Sequence, residues 1–119
     1  PINKYAISKL GGECAVQLYN NSLILRICMT EKPFIHKKAF KDVEMNFMFQ
    51  EDLAINLTKI IHEKGIMNVG GKKQTVLNFA KKFNKKIKAI SARKLFNKNY
   101  PIKQSMNVDK YKNHIKNVK

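Results

Sequence analysis

Tyr5-Ala6-Ile7-Ser8-Lys9-Leu10-Gly11-Gly12-Glu13 sets a tyrosine and a lysine four residues apart at the start of a helical pattern. On a helix, positions i and i+4 lie one above the other on the same face, so the Tyr5 hydroxyl and the Lys9 ammonium can converge on one point. A nearby cation favours the ionised form of a phenol, which makes the pair a candidate general acid/base. Asn3 is placed to cap this helix, and Ile7, Leu10, Cys14 and Leu18 recur at helical spacing down to about Tyr19, a stripe expected to face a core. Gly11 and Gly12 each weaken a helix interior by about 1 kcal/mol relative to Ala, which suggests that another backbone or a ligand approaches that face. Asn20-Asn21 then breaks the helix.

Outward from that stretch, Ser22 to Met29 holds Leu-Ile-Leu-Arg-Ile-Cys-Met, an apolar run without polar alternation, as in a strand buried in a parallel sheet. Helix, turn and buried strand make half of a βαβ unit. Ligands of open α/β sheets bind at the carboxyl ends of strands, which here points to Cys28, Met29 and Thr30. Lys32 to Asp42 reads as a loop opened by Pro33. Gln50-Glu51-Asp52 can start a helix over Leu53 to Lys64 with acids at its positive end, so Asp52 is assigned to capping. Gly65 ends it, Ile66 to Gly71 reads as a strand and turn, and Gln74-Thr75 leads into a helix burying Val76, Leu77, Phe79, Ala80 and Phe83. Ile87 to Ser91 suggests a short strand, and Tyr111 and Ile115 sit on a last short helix. A phosphate loop ending at Lys72 fails, because Ile66 stands where glycine is needed and Lys73 where Ser or Thr is needed.

The YxxxK spacing, its Leu-Gly-Gly-Glu continuation and the order of the later segments resemble the C-terminal portion of the extended short-chain dehydrogenase/reductases. These are the NAD-dependent epimerase/dehydratase group, and the dTDP-4-dehydrorhamnose reductase type is the most similar. The resemblance implies an α/β fold: the C-terminal part of a Rossmann-type parallel sheet with helices, plus a small substrate-binding lobe. Residues 1–30 would be the active-site helix and strand, and residues 31–119 the substrate-side lobe and C-terminal elements of a single partial domain. It further implies Tyr5 as proton donor or acceptor and Lys9 as its activator and ribose ligand, with both, and Cys28, against NAD or NADP. Met29 and Thr30 would meet the substrate, a nucleotide sugar whose diphosphate Lys37 and Lys38 would face. The dinucleotide-binding strand, glycine-rich turn and helix of that family have no counterpart before Tyr5. A second chain or further segment is therefore expected to supply the cofactor-binding half. A homodimer through the YxxxK helix is a further expectation, which Gly11 and Gly12 would suit.

Composition bounds the rivals. The formal net charge is +16, with 22 Lys against 2 Arg, and Lys, Asn and Ile make up 48 of the 119 residues. Such a bias reads as lysine spread over a solvated surface, and arginine, the usual reader of bases, is nearly absent, so nucleic acid is discounted as a partner. The charge is uneven, with a net +12 in residues 81–119, and a basic module for nucleic acid or another polyanion stays open beside the enzyme reading, as does an inactive remnant. Cys14 and Cys28 make no CxxC pair, and no apolar run approaches a membrane span, so a reducing, cytoplasmic setting without membrane is expected. His36, His62 and His114 share no metal-ligand spacing, so no metal site is assigned.

Overall fold

The computed structural model describes residues 3–118. Its elements in chain order are α1 (Lys4–Val16), β1 (Leu23–Ile27), β2 (Met29–Thr30), β3 (Lys38–Phe40), β4 (Glu44–Met45), β5 (Met48–Phe49), α2 (Gln50–Ile60), β6 (Gly65–Val69), β7 (Gln74–Thr75), α3 (Val76–Lys81), β8 (Lys88–Ile90), α4 (Ala92–Leu95) and α5 (Asp109–Asn117). The fold is mixed α/β, built from short strand pairs and no closed sheet. Three pairs are parallel, β1 with β6, β2 with β5 and β3 with β8, and β4 with β7 is antiparallel. The longest pair runs from Leu23 opposite Gly65 to Ile27 opposite Val69.

Asn3 caps α1 as its side chain predicts, its Oδ1 accepting from the Ala6 N–H at 2.8 Å. The expected core stripe of α1 is overturned: no residue of the helix is buried, with Ile7 58% and Leu10 49% exposed, Cys14 exposed, and Leu18 83% exposed in the turn beyond. A Cβ built on Gly11 or Gly12 meets nothing within 4 Å, so among the described residues no backbone outside the helix approaches there. β1 is likewise not the fully buried strand its composition suggests. Only Ile24 is buried, because β1 pairs on one edge alone and α1 leaves its outer surface open. The stretch 32–42 is not all loop, for β3 lies within it.

Two apolar cores hold the rest. One gathers Phe34, Ala39, Val43, Phe49, Val76, Phe79, Ala80, Ile87 and Ala92, with Phe49 and Phe79 centroids 5.4 Å apart. The other gathers Met48, Leu53, Ile60, Met67, Val69 and Tyr111, between α2, β6 and α5. Successive strand residues point to opposite faces, so Met48 and Phe49 of β5 feed one core each. Helix α2 is shorter than its apolar pattern suggests: it stops at Ile60 and buries only Leu53 and Ile60, leaving Ile55 and Ile61 on the surface. Asp52 stands in its first turn, but the helix has no side-chain cap, so its contribution is charge at the positive helix end. Gly65 holds φ +83°, a left-handed conformation that favours glycine, in the turn into β6. Phe83 was expected inside with Val76 and Phe79; α3 ends at Lys81, and Phe83 stays half exposed beyond it.

Gly70 and Gly71 have a packing reason. A Cβ on either would fall 2.6 Å or less from the Asn46 or Phe47 carbonyl oxygen, so the β6 turn lies directly on the 46–47 backbone. These glycines serve close approach between the turn after β6 and the segment that joins β4 to β5, and present no phosphate cradle. Asn46, the one buried polar residue among those described, fastens the same junction. Its carbonyl accepts from the Gly71 N–H at 2.8 Å, its Nδ2 donates to the Gly71 carbonyl at 3.1 Å, and its Oδ1 accepts from the Met106 N–H at 2.6 Å. Among the described residues no helix is long and apolar enough to cross a membrane.

Candidate functional site

Tyr5, Lys9 and Glu13 follow one another at i, i+4 and i+8, so a single face of α1 carries all three toward β1. Glu13 ties the helix to that strand. Its carboxylate receives Arg26 Nε at 2.8 Å and Nη2 at 2.7 Å, a two-pronged, charge-assisted contact. The hydrogen bonds from Arg26 hold the Glu13 carboxyl below the usual range, and Glu13 holds the guanidinium above its own. Tyr5, Lys9 and Glu13 of α1 and Ile24 to Ile27 of β1, with Met29 and Met106, line a cleft of about 440 Å³. It runs along β1 from Ile24 to Ile27 and on to Met29 of β2.

Tyr5 and Lys9 are brought together, in an arrangement different from hydroxyl facing ammonium. Lys9 Nζ lies over the Tyr5 ring, 5.4 Å from its centroid. An ammonium over an aromatic face is held by the ring quadrupole, worth about 0.5–1 kcal/mol at an exposed site. Tyr5 is 69% exposed, so its hydroxyl is open to a ligand entering the cleft.

The other sequence-assigned residues divide. Met29 lines the cleft, while its neighbour Thr30 lines a second cavity of about 300 Å³ with Phe34, His36, Lys38, Phe40, Met45 and Phe47. Met29 and Thr30 are successive residues of β2, so the two cavities open on opposite faces of that strand, one with Tyr5 and Lys9 at its wall and the other mainly apolar with His36 and Lys38 as polar groups. Lys37 joins neither; it lines a separate groove with Lys86 and Lys88. Cys28 is buried beneath the site. Its N–H donates to the Val69 carbonyl, its own carbonyl accepts from Met48, and burial pushes its thiol up. In this arrangement Cys28 joins β1 to β5 and β6, and its side chain does not line the cleft. The Glu13–Arg26 pair, Met106 and the aromatic wall of Phe34, Phe40 and Phe47 were not assigned from sequence. Of these, Glu13 carried a readable signal, because it continues the Tyr5–Lys9 spacing by one more turn.

A dinucleotide has two ends to satisfy. The strand, glycine turn and helix needed for a pyrophosphate are not found among the described residues, Gly70 and Gly71 being taken up by packing. Comparison of the chain with protein-family models, with curated proteins and with solved structures finds no match.

Proposed function

We propose that this chain is the C-terminal, substrate-side portion of an NAD(P)-dependent nucleotide-sugar reductase or epimerase, working with a cofactor-binding half that another segment or chain supplies. Tyr5 would exchange the proton with the sugar oxygen and Lys9 would bond the nicotinamide ribose, the dinucleotide supplying the hydride when bound. Glu13 and Arg26 act on position alone, holding α1 against β1 so that Tyr5 stays over the cleft. Met29 meets the substrate in the cleft, and Thr30, on the other face of β2, lines the aromatic cavity.

The observation that carries this reading is the cleft that Tyr5 and Lys9 share along β1. The surface around it supports the missing half. Among the described residues one edge of β1 has no hydrogen-bonding strand, and α1 shows its apolar residues to solvent; a parallel sheet is normally covered on both faces. A parallel strand on the open edge of β1, with a helix over Ile7 and Leu10, would satisfy both. Titration of NADH and NADPH into the chain alone, followed by nicotinamide fluorescence, is expected to show little binding, and binding is expected to appear when the cofactor half is added. In the assembled enzyme Tyr5→Phe should lower turnover by about 10²-fold or more with cofactor affinity nearly unchanged, while Lys9→Ala should damage both. Undiminished turnover in Tyr5→Phe would sink the assignment.

A further inference from the structure

Lys37, Lys38, Lys86 and Lys88 come from two distant segments, and the parallel register of β3 on β8 brings them together. Lys38 stands directly opposite Lys88, and the Lys88 N–H donates to the Lys37 carbonyl at 3.1 Å. All four line one groove of about 300 Å³, with Asn84 and Ile87 between them. Like charges directly opposite on neighbouring strands oppose pairing, by up to about 1 kcal/mol. Nothing offsets this here: the three ion pairs found among the described residues join Arg26 to Glu13, Lys73 to Glu44 and His114 to Glu63. The sole acid in residues 81–119 is Asp109, which begins α5. Four lysines thus line one groove, and a bound polyanion would offset their like charges.

We propose that this groove binds a single strand of nucleic acid through its phosphates, without reading its bases. A groove follows a linear chain of charges, whereas an anionic membrane is met by an apolar face set between basic residues. Lysine meets each phosphate as a point charge. No arginine or aromatic ring lines the groove, so bidentate base contacts and a stacking platform are both missing, and binding rests on the backbone. The scarcity of arginine that argues against base readout is no argument against this contact. The site is separate from the cleft at Tyr5 and stands whether or not that cleft is catalytic.

The test is fluorescence anisotropy of labelled twenty-nucleotide oligo(U) and oligo(A) with the full chain across a salt series. The groove variant, Lys37→Gln, Lys38→Gln, Lys86→Gln and Lys88→Gln together, is compared with a control of equal charge, Lys64→Gln, Lys98→Gln, Lys112→Gln and Lys116→Gln. A third variant carries Arg at the four groove positions, and circular dichroism verifies folding of all. The expected result is similar affinity for both oligomers, a loss of about ten-fold or more in the groove variant, a fall of about 3 in the magnitude of its log K against log salt slope, and retention in the Arg variant. The control should change by less than about two-fold, its lysines lying off the contact. Equal losses in the groove and control variants, no binding by the parent chain at about 50 mM salt, or binding to phosphatidylserine vesicles alone would overturn the proposal.

Discussion

At the residue scale, Asn46 and Asp42 do most to set the geometry around the candidate site. Asn46 joins three segments, and Asn46→Ala would leave the Met106 N–H and the Gly71 carbonyl without their side-chain partner in a buried place. The expected cost is about 3 kcal/mol, read as a lower urea midpoint at unchanged slope. Asp42 joins the turn after β3 to α4: it accepts from Ser91 Oγ at 2.6 Å and the Ala92 N–H at 2.9 Å. The Ser91 hydroxyl, followed by the Ala92 N–H, lowers its carboxyl from 3.8 to about 2. A depressed carboxylate stabilises the fold above its unfolded value and loses that contribution as pH falls through its folded value. Asp42→Asn should therefore be less stable than the parent at neutral pH, with the gap closing between about pH 4 and pH 2 in acid-unfolding curves. A gap that stays constant down to pH 2 would show that the carboxylate charge has no part in it. Neither role is readable from local sequence, since Asp42 and Asn46 find their partners 49 and 60 residues away.

At the element scale, α1 is the exception in a chain that otherwise folds onto its own cores. Its capping residue, its start and the Tyr5–Lys9–Glu13 face follow from spacing alone, because i to i+4 neighbours are dictated by helix geometry. The same geometry makes an apolar stripe without supplying a partner for it. Since added Cβ atoms at Gly11 and Gly12 meet nothing, Gly12→Ala should stabilise the isolated chain by about 0.5–1 kcal/mol through helix propensity, seen as slower amide exchange in α1. If a cofactor half packs on this face, the same substitution should weaken assembly with it. Stabilisation of the chain together with undisturbed assembly would place that half elsewhere. Strand β3 shows the converse limit. Pro33 and the lysines mark a loop by composition, but three residues of it pair with β8, and burial of Ala39 outweighs the local preference.

At the scale of the whole molecule, stability is expected to reside in the two cores and not in α1. Ile60 is fully buried among Met48, Leu53 and Tyr111, so Ile60→Ala should cost about 3 kcal/mol by creating a cavity. Leu10 packs on nothing comparable, and Leu10→Ala should fall within about 0.5 kcal/mol of the parent. Chemical denaturation of the pair checks this; a large effect at Leu10 would mean that α1 is covered, by a second copy or otherwise, in solution. The placement of the site follows the same division. Tyr5 and Lys9 stand on the loosely held helix, fastened by Glu13 and Arg26, while the aromatic cavity is built into the firm lobe of Phe34, Phe47 and Phe79.

What sequence by itself determined here is local: the cap at Asn3, the shared face of Tyr5 and Lys9, the strand starting near Ile66, the helix from Val76 and the closing helix under Tyr111. Each depends on contacts within about one or two turns or on a period of 2 or 3.6, and those are properties of consecutive residues. Tertiary structure alone decided that the α1 stripe is bare, that Gly70 and Gly71 lie against Asn46 and Phe47, that Thr30 and Lys37 line different cavities, and that Lys38 faces Lys88. These depend on strand register and on which surfaces meet. Register comes from the summed burial of many distant side chains, and no single stretch of the chain contains that sum.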